Sequence, residues 1–158
     1  MPDLDIAIEL LSGPTQDARE LVGELDEVLG ALYEPDQRHG LTIEQVFKPN
    51  VRFFVARLDD AAVGCGALAM FDDYAEVKRM YTSEAARRRG VGRALLARIE
   101  EEARDAGKPM LRLETGIRQT AAIGLYEGSG FRPCGAFSHY AGLPPHMIAA
   151  SLFYEKPL

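Results

Sequence analysis

The sequence predicts an α/β fold, a three-layer α/β/α sandwich built on a mixed, mostly antiparallel sheet. In the first half of the chain, strand-like segments follow one another across short turns, which is typical of antiparallel hairpins. In the second half, strands alternate with helices, which is typical of crossover connections. A chain of 158 residues with 47% hydrophobic residues can bury one full core. We therefore expect a single domain covering residues 1–158.

The first elements are a strand, a helix and a connecting region. Residues 6–11 form a short apolar run and are predicted to be the first strand. Apolar residues then recur at helical spacing from Ala18 to Leu32, after a helix start at Pro14-Thr15. Residues 33–40 contain a proline and a glycine and predict a loop. Residues 42–45 predict a cap followed by a short helix.

Three further strands are expected in the middle of the chain. Residues 51–58 are rich in β-branched and aromatic side chains, and Asp59-Asp60 after them is a hairpin signal. Residues 62–71 continue the hairpin as the next strand. Asp72-Asp73 then turns the chain into a strand over residues 75–82.

The second half begins with an amphipathic helix that ends near Ala106, before Gly107 and Pro109. Residues 110–114 alternate as a strand, residues 119–127 predict a short helix, and residues 151–155 predict the last strand. Residues 134–140 are interpreted either as a strand or as part of a hairpin. Residues 141–147 are expected to be a loop.

The composition excludes several classes of protein. With 18 basic and 24 acidic residues the net charge is −6, which argues against broad nucleic-acid binding. No stretch approaches the ~20 apolar residues of a membrane span, and the first residues do not resemble a signal peptide. Two cysteines, Cys65 and Cys134, do not make a disulfide framework. We expect a cytoplasmic protein that binds neither nucleic acid nor membranes.

A basic, glycine-containing turn connects the strand at residues 75–82 to the amphipathic helix. It reads Arg87-Arg88-Arg89-Gly90-Val91-Gly92. The first N–H groups of a helix have no partner within the helix, and the helix dipole is positive there. Glycines allow close backbone approach, and arginines add forked donors, so the turn predicts a binding site for phosphate or pyrophosphate.

Two common phosphate-binding loops do not fit this turn. A P-loop needs a Lys-Ser/Thr pair after its second glycine, and a dinucleotide fingerprint needs a small residue at position 95, which is leucine. The pattern that does fit is Arg/Gln-x-x-Gly-x-Gly/Ala, met by Arg87, Gly90 and Gly92. Together with Ala75-Glu76-Val77 upstream and residues 122–127 downstream, it resembles the GNAT family, the Gcn5-related N-acetyltransferases.

This resemblance implies an enzyme that transfers an acetyl group from acetyl-coenzyme A to a primary amine of a small molecule or peptide. Direct attack in a ternary complex would need no covalent intermediate. The alternative is a non-catalytic acyl-CoA-binding protein. The sheet would be splayed open between its fourth and fifth strands. The resemblance implies no metal, and a homodimer is left open.

The resemblance also assigns cofactor-binding residues. They lie on the strand at residues 75–82, in the basic turn and start of the next helix (together called the cradle), and around the helix at residues 119–127. They are Met80, Tyr81, Thr82, Arg87, Arg88, Arg89, Gly90, Val91, Gly92, Arg93, Gln119 and Tyr126. A backbone N–H at Met80 would polarise the thioester carbonyl, and Tyr81 and Thr82 would pair with the pantetheine arm as an added strand does. Gln119 stands where many relatives have asparagine.

Catalytic and acceptor residues follow from the same resemblance. Tyr126 is expected to protonate the departing thiolate, since a phenol of pKa ~10 is protonated at rest. Glu76 is the first candidate for the general base and Glu114 the second. Tyr33, Glu34, His139 and Tyr140 are candidates for the acceptor site. His39, His139 and His146 do not have metal-ligand spacing.

Overall fold

The computed structural model of the chain describes residues 5–158. Its strands are β1 (Ile6–Leu11), β2 (Val51–Leu58), β3 (Ala61–Met70), β4 (Ala75–Thr82), β5 (Met110–Gly116), β6 (Arg132–Cys134) and β7 (Ser151–Pro157). Its α-helices are α1 (Gln16–Leu32), α2 (Val91–Asp105), α3 (Thr120–Gly128) and α4 (Pro145–Ile148). Short 3₁₀ turns occur at Pro35–Gln37, Gln45–Phe47, Glu84–Ala86 and Ser138–Gly142.

The strands form one mixed sheet in the order β1-β2-β3-β4-β5-β7-β6. Only β4 and β5 run parallel, and α2 makes the crossover between them. The other neighbours are antiparallel. The predicted three-layer fold with a mostly antiparallel sheet is therefore confirmed.

Alternating side chains of β2 show how the sheet separates two cores. Phe54 and Ala56 pack in the core beneath α2, whereas Phe53 and Val55 pack in the core beneath α1. Successive residues of a strand point to opposite faces, so one continuous apolar run contributes side chains to both cores. The helices are amphipathic because each covers only one face.

The hairpin between β2 and β3 turns where the sequence predicts. Asp59 and Asp60 both have positive φ, of 48° and 68°. A two-residue turn with both central residues in this region follows the right-handed twist of the strands. Aspartate is among the residues that tolerate this conformation.

The sheet opens between β4 and β5, as the resemblance implied. Residues 75–77 of β4 pair with residues 111–113 of β5, and the pairing stops there although both strands continue. On its other edge β4 carries a bulge, because the register with β3 jumps from Tyr81 to Lys78. Arg79 lies in the bulge with φ 56°. The Cys65 thiol, on β3, donates to the carbonyl oxygen of Arg79 at 3.3 Å.

The segment after α3 differs from the prediction. Strand β6 ends at Cys134, and residues 138–142 form a 3₁₀ turn, so neither a strand nor a hairpin spans residues 134–140. Tyr140 is fully buried and packs with Phe137 and Phe153, so the chain turns inward here instead of extending as a strand. The predicted loop over residues 141–147 contains the start of α4. The other element boundaries differ from the predicted ones by a few residues.

None of the helices between residues 5 and 158 has the length and apolar content needed to cross a bilayer.

Two glycines give a matched test of the packing between β3 and α2. A Cβ on Gly64 would lie 2.9 Å from the Tyr81 carbonyl oxygen and 2.9 Å from Val91 Cγ1. We expect Gly64→Ala to lower the free energy of unfolding by about 1–3 kcal/mol, because strand and helix must separate. Gly23, on the exposed side of α1, has no atom within 4 Å of such a Cβ.

The control Gly23→Ala should leave stability unchanged or raise it by about 0.5–1 kcal/mol, since alanine favours a helix interior. Urea denaturation followed by circular dichroism measures both variants. Equal midpoints for Gly64→Ala and the wild type would contradict the packing described here.

Candidate active site

The opening between β4 and β5 forms a cleft. The strands contribute Lys78, Arg79, Met80, Glu114 and Thr115 to its lining. The end of α1 and the segment after it, residues 37–40, cover one side, and Tyr126 of α3 lies on another. The cleft therefore combines charged groups from the sheet with a phenol from a helix.

The N-terminus of α2 lies next to this cleft, at the end of β4. Gly90 occupies the N-cap position with φ 84°, and no side chain of residues 5–158 caps the helix. Arg88 also has positive φ, 67°, while Arg87 Nε donates to the Thr82 carbonyl oxygen at 3.3 Å. The first N–H groups of α2 thus remain available to an anion, surrounded by the exposed Arg88, Arg89 and Arg93.

Gly92 has a packing role in addition to its expected place in the cradle. A Cβ at this position would lie 3.1 Å from Leu125 Cδ2, on α3. The absence of a side chain lets α3 approach the first turn of α2. This approach brings the helix that carries Tyr126 toward the N-terminus of α2.

Tyr126 is almost completely buried, with 5% of its surface exposed. Its ring packs edge-on against Phe131, with ring centres 5.9 Å apart. Burial raises the pKa of Tyr126, and the negative charge of Glu114 raises it further. The phenol therefore stays protonated at neutral pH and can donate a proton into the cleft.

Glu76 belongs to a buried network that reaches the cleft through Lys78. Its Oε2 accepts hydrogen bonds from the Tyr140 hydroxyl at 2.7 Å and from Lys78 Nζ at 3.1 Å. Lys78 Nζ also donates to the Tyr140 oxygen at 2.9 Å. Only 2% of Glu76 is exposed, and it is not among the residues that line the cleft.

Lys78 was missed by the sequence analysis, although one signal could have found it. Residues two apart on a strand share a face, so Lys78 must lie beside Glu76. The participation of Tyr140 could not be found in this way, because 64 residues separate it from Glu76.

Glu114 is the carboxylate that lines the cleft itself. Burial raises the pKa of Glu114, while the Ser151 hydroxyl, which donates to Oε2 at 2.7 Å, and the charges of His39 and Lys78 oppose the rise. A glutamate with a raised pKa can accept a proton nearer to neutral pH.

Three other candidate residues have identified contacts. Gln119 Oε1 accepts from the Gly116 backbone N–H at 2.8 Å, so this oxygen closes the turn before α3. The Tyr33 hydroxyl accepts from the Arg118 N–H at 3.0 Å and lies against Gly116. His139 stacks on Tyr140 with ring centres 4.1 Å apart, and burial lowers the pKa of this histidine.

Glu34 lies outside the cleft lining and is exposed. His146 Nε2 lies 3.3 Å from Glu34 and 3.1 Å from Asp36, so the three side chains form an exposed cluster. The sequence spacing of the histidines did not reveal this cluster. The direct contacts show that His146 is the partner of both carboxylates.

His39 lines the cleft, whereas the sequence analysis assigned it no role beyond noting that it lacks metal-ligand spacing. Its Nε2 lies 2.7 Å from the Met147 carbonyl oxygen, and its ring packs edge-on against Tyr140 at 5.5 Å. These contacts fix the segment after α1 against the C-terminal part of the chain.

Comparison with known proteins identifies relatives of the whole chain. The model of the acetyltransferase (GNAT) family matches residues 18–131. A protein of Azospirillum brasilense called IAA acetyltransferase is 46% identical, and the match covers 100% of both chains. A crystal structure from Klebsiella pneumoniae, named as an acyl-CoA N-acyltransferase, has 33% identity and a TM-score of 0.78 and covers 97% of each chain.

A more distant structural neighbour shows the same fold. The GNAT acetyltransferase of Elizabethkingia anophelis, solved with acetyl-CoA bound, has a TM-score of 0.68 at 18% identity and covers 100% of both chains.

The buried network around Glu76 leads to a stability prediction. In Lys78→Met the Glu76 carboxylate would lose the cation that compensates its charge in a buried site. We expect a loss of about 3 kcal/mol or more in the free energy of unfolding. Lys48→Met is the matched control, because Lys48 is exposed, and it should change stability by less than about 0.5 kcal/mol. Equal urea midpoints for the two variants would show that Lys78 does not stabilise the network.

Proposed function

Because the chain belongs to the acetyltransferase (GNAT) family and is an N-acetyltransferase with acetyl-CoA as its cosubstrate, we propose that it acetylates a primary amine by direct attack within the cleft. The observation that supports this most is that one cleft is lined by both a proton donor and a proton acceptor. Tyr126 can give a proton there, and Glu114 can take one. Family membership favours this reading over a non-catalytic acyl-CoA-binding protein.

The cofactor would lie along the N-terminus of α2. In this proposal Arg87, Arg88, Arg89 and Arg93 attract the pyrophosphate, and the N–H groups from Gly90 to Gly92 bind it. The bulge at Arg79 interrupts the register of β4 with β3, which supports a free backbone N–H at Met80 for the thioester carbonyl. Tyr81, Thr82 and Gln119 would complete the site.

Proton transfers would run between the two sides of the cleft. Glu114 takes the proton from the amine, because it lines the cleft and burial raises its pKa. Glu76, the first candidate in the sequence analysis, becomes the second in this proposal, since Lys78 and Tyr140 already bond its Oε2. Met80 N–H stabilises the developing negative oxygen, and Tyr126 protonates the sulfur as the thiolate leaves.

Residues 1–158 would act as one domain, and the cytoplasm is the proposed location. Cys65 and Cys134 are both free thiols, which supports a reducing compartment. The proposal leaves a homodimer open.

The function is tested by measuring coenzyme A release with acetyl-CoA and a panel of amines, including amino acids, diamines and peptides with free N-termini. IAA is assayed beside the amines, after the name of the Azospirillum relative. Release that depends on an acceptor supports the proposal. Tight binding of acetyl-CoA without release for any acceptor would favour the non-catalytic alternative.

The general-acid role predicts a selective effect of Tyr126→Phe. The ring and its contact with Phe131 are retained, so folding and acetyl-CoA affinity should be nearly unchanged. kcat should fall by about 10²-fold, the low end for general acid catalysis. Single-turnover measurements establish that chemistry limits the rate. Wild-type kcat under that condition would exclude proton donation by Tyr126.

The two candidate bases are distinguished by their pH–rate profiles. Because burial raises the pKa of Glu114, the acidic limb of wild-type kcat/KM should lie above the ~4.3 of an ordinary glutamate. Glu114→Gln should lower kcat/KM by about 10²-fold near neutral pH and by less at high pH, where the amine is already neutral. Glu76→Gln is the paired variant. If it alone shows this pattern, Glu76 is the base.

A further inference from the structure

The charged groups that line the cleft are mostly cationic. Arg38, Lys78 and Arg79 carry positive charge, and Glu114 carries negative charge. Such a lining distinguishes between acceptors, because positive groups of the site repel a positively charged ligand and attract a negatively charged one.

Two of the three cations are already paired. Lys78 Nζ contacts Glu76, and the Arg79 guanidinium contacts Asp26 of α1. Glu76 and Asp26 both lie outside the cleft lining. After these pairs are removed, one cation, Arg38, and one anion, Glu114, remain within the cleft.

Arg38 makes no ion pair with any carboxylate of residues 5–158. Its Nε is buried without a hydrogen-bond partner, and so is Nε of Arg79, whose side chain is only 3% exposed. An unsatisfied buried donor costs free energy. The Arg38 guanidinium, which belongs to the cleft lining, thus keeps charge and donor capacity that a bound carboxylate can use.

The segment that carries Arg38 is held in place on both sides. Gln37 Nε2 donates to the His146 carbonyl oxygen at 3.3 Å, and His39 Nε2 lies 2.7 Å from the Met147 carbonyl oxygen. Gly40, next along the chain, lies directly against the Arg79 guanidinium, where a Cβ would clash. A fixed segment loses little conformational entropy when a ligand binds.

We propose that the acceptor is an amino carboxylate, whose amine faces Glu114 and whose carboxylate is bound by Arg38. Arginine suits this role because its planar fork can bond both oxygens of a carboxylate. The inference rests on the proposed acetyl transfer and adds the class of acceptor. A diamine would instead bring a second positive charge toward Arg38, Lys78 and Arg79.

The first test compares acceptors that differ only at the carboxylate. α-, β- and ω-amino acids are assayed against their carboxamides, the corresponding simple amines and a diamine of similar length. The inference expects at least about tenfold higher kcat/KM for one amino-acid class than for its carboxamide and amine. Equal or better rates with the neutral amines or the diamine would overturn it, while acetyl transfer itself would stand.

If no acceptor releases coenzyme A, the proposed transfer fails, and with it this inference. Acetyl-CoA binding, measured by calorimetry on the same protein, then separates a non-catalytic binding protein from an inactive preparation.

The second test examines whether Arg38 binds the carboxylate of the acceptor. Arg38→Gln should raise KM for the preferred amino acid by about tenfold or more and leave KM for acetyl-CoA and kcat/KM for the simple amine unchanged. Arg38→Lys keeps the charge without the fork and should recover part of the loss. Arg118→Gln is the matched control, an exposed arginine near the cleft that is not part of its lining. An equal loss in the control, or no loss in Arg38→Gln, would overturn the assignment.

Discussion

The parting of β4 from β5 is the constraint on which the rest of the structure depends. Two parallel strands that pair for three residues and then separate leave backbone groups without the partners that a sheet provides. At the other edge of β4, the Cys65 thiol donates to the Arg79 carbonyl oxygen within the bulge, and the Arg79 side chain pairs with Asp26 of α1. Contacts to β3 and α1 therefore hold in place the strand that lines the cleft.

The same strand gives the cleft its chemistry, because β4 presents different groups to the two layers. Ala75 and Val77 pack in the core with α2 and α3, whereas Glu76 and Lys78 point to the opposite side. The bulge then places Lys78 and Arg79 next to each other in the cleft lining. One short element therefore contributes to the core, to the buried charge network and to the site.

Much of the fold could be predicted from the sequence because its signals are local. The turn at Arg87–Gly92 and the apolar face of α2 occupy adjacent positions in the chain, and the structure keeps them as expected. Tyr140 could not be placed in this way, since its partner Glu76 comes from a distant strand and no local pattern records the contact. The same limit applies to Arg38. Its proposed role depends on the lack of a carboxylate partner among residues 5–158, and no local sequence pattern records this.

Cys65 is both buried and hydrogen-bonded to β4, and this environment determines how turnover can be measured. The thiol is fully buried, donates to the Arg79 carbonyl oxygen, and burial raises its pKa to about 12. Chromogenic disulfides react with thiolates, so they would report released coenzyme A while the folded protein leaves Cys65 untouched. Cys134, whose pKa is also raised by burial, is the only other thiol in the sequence. Because Cys134 is only partly buried, it can contribute a background of one thiol per chain, and a signal beyond that would report exposure of Cys65.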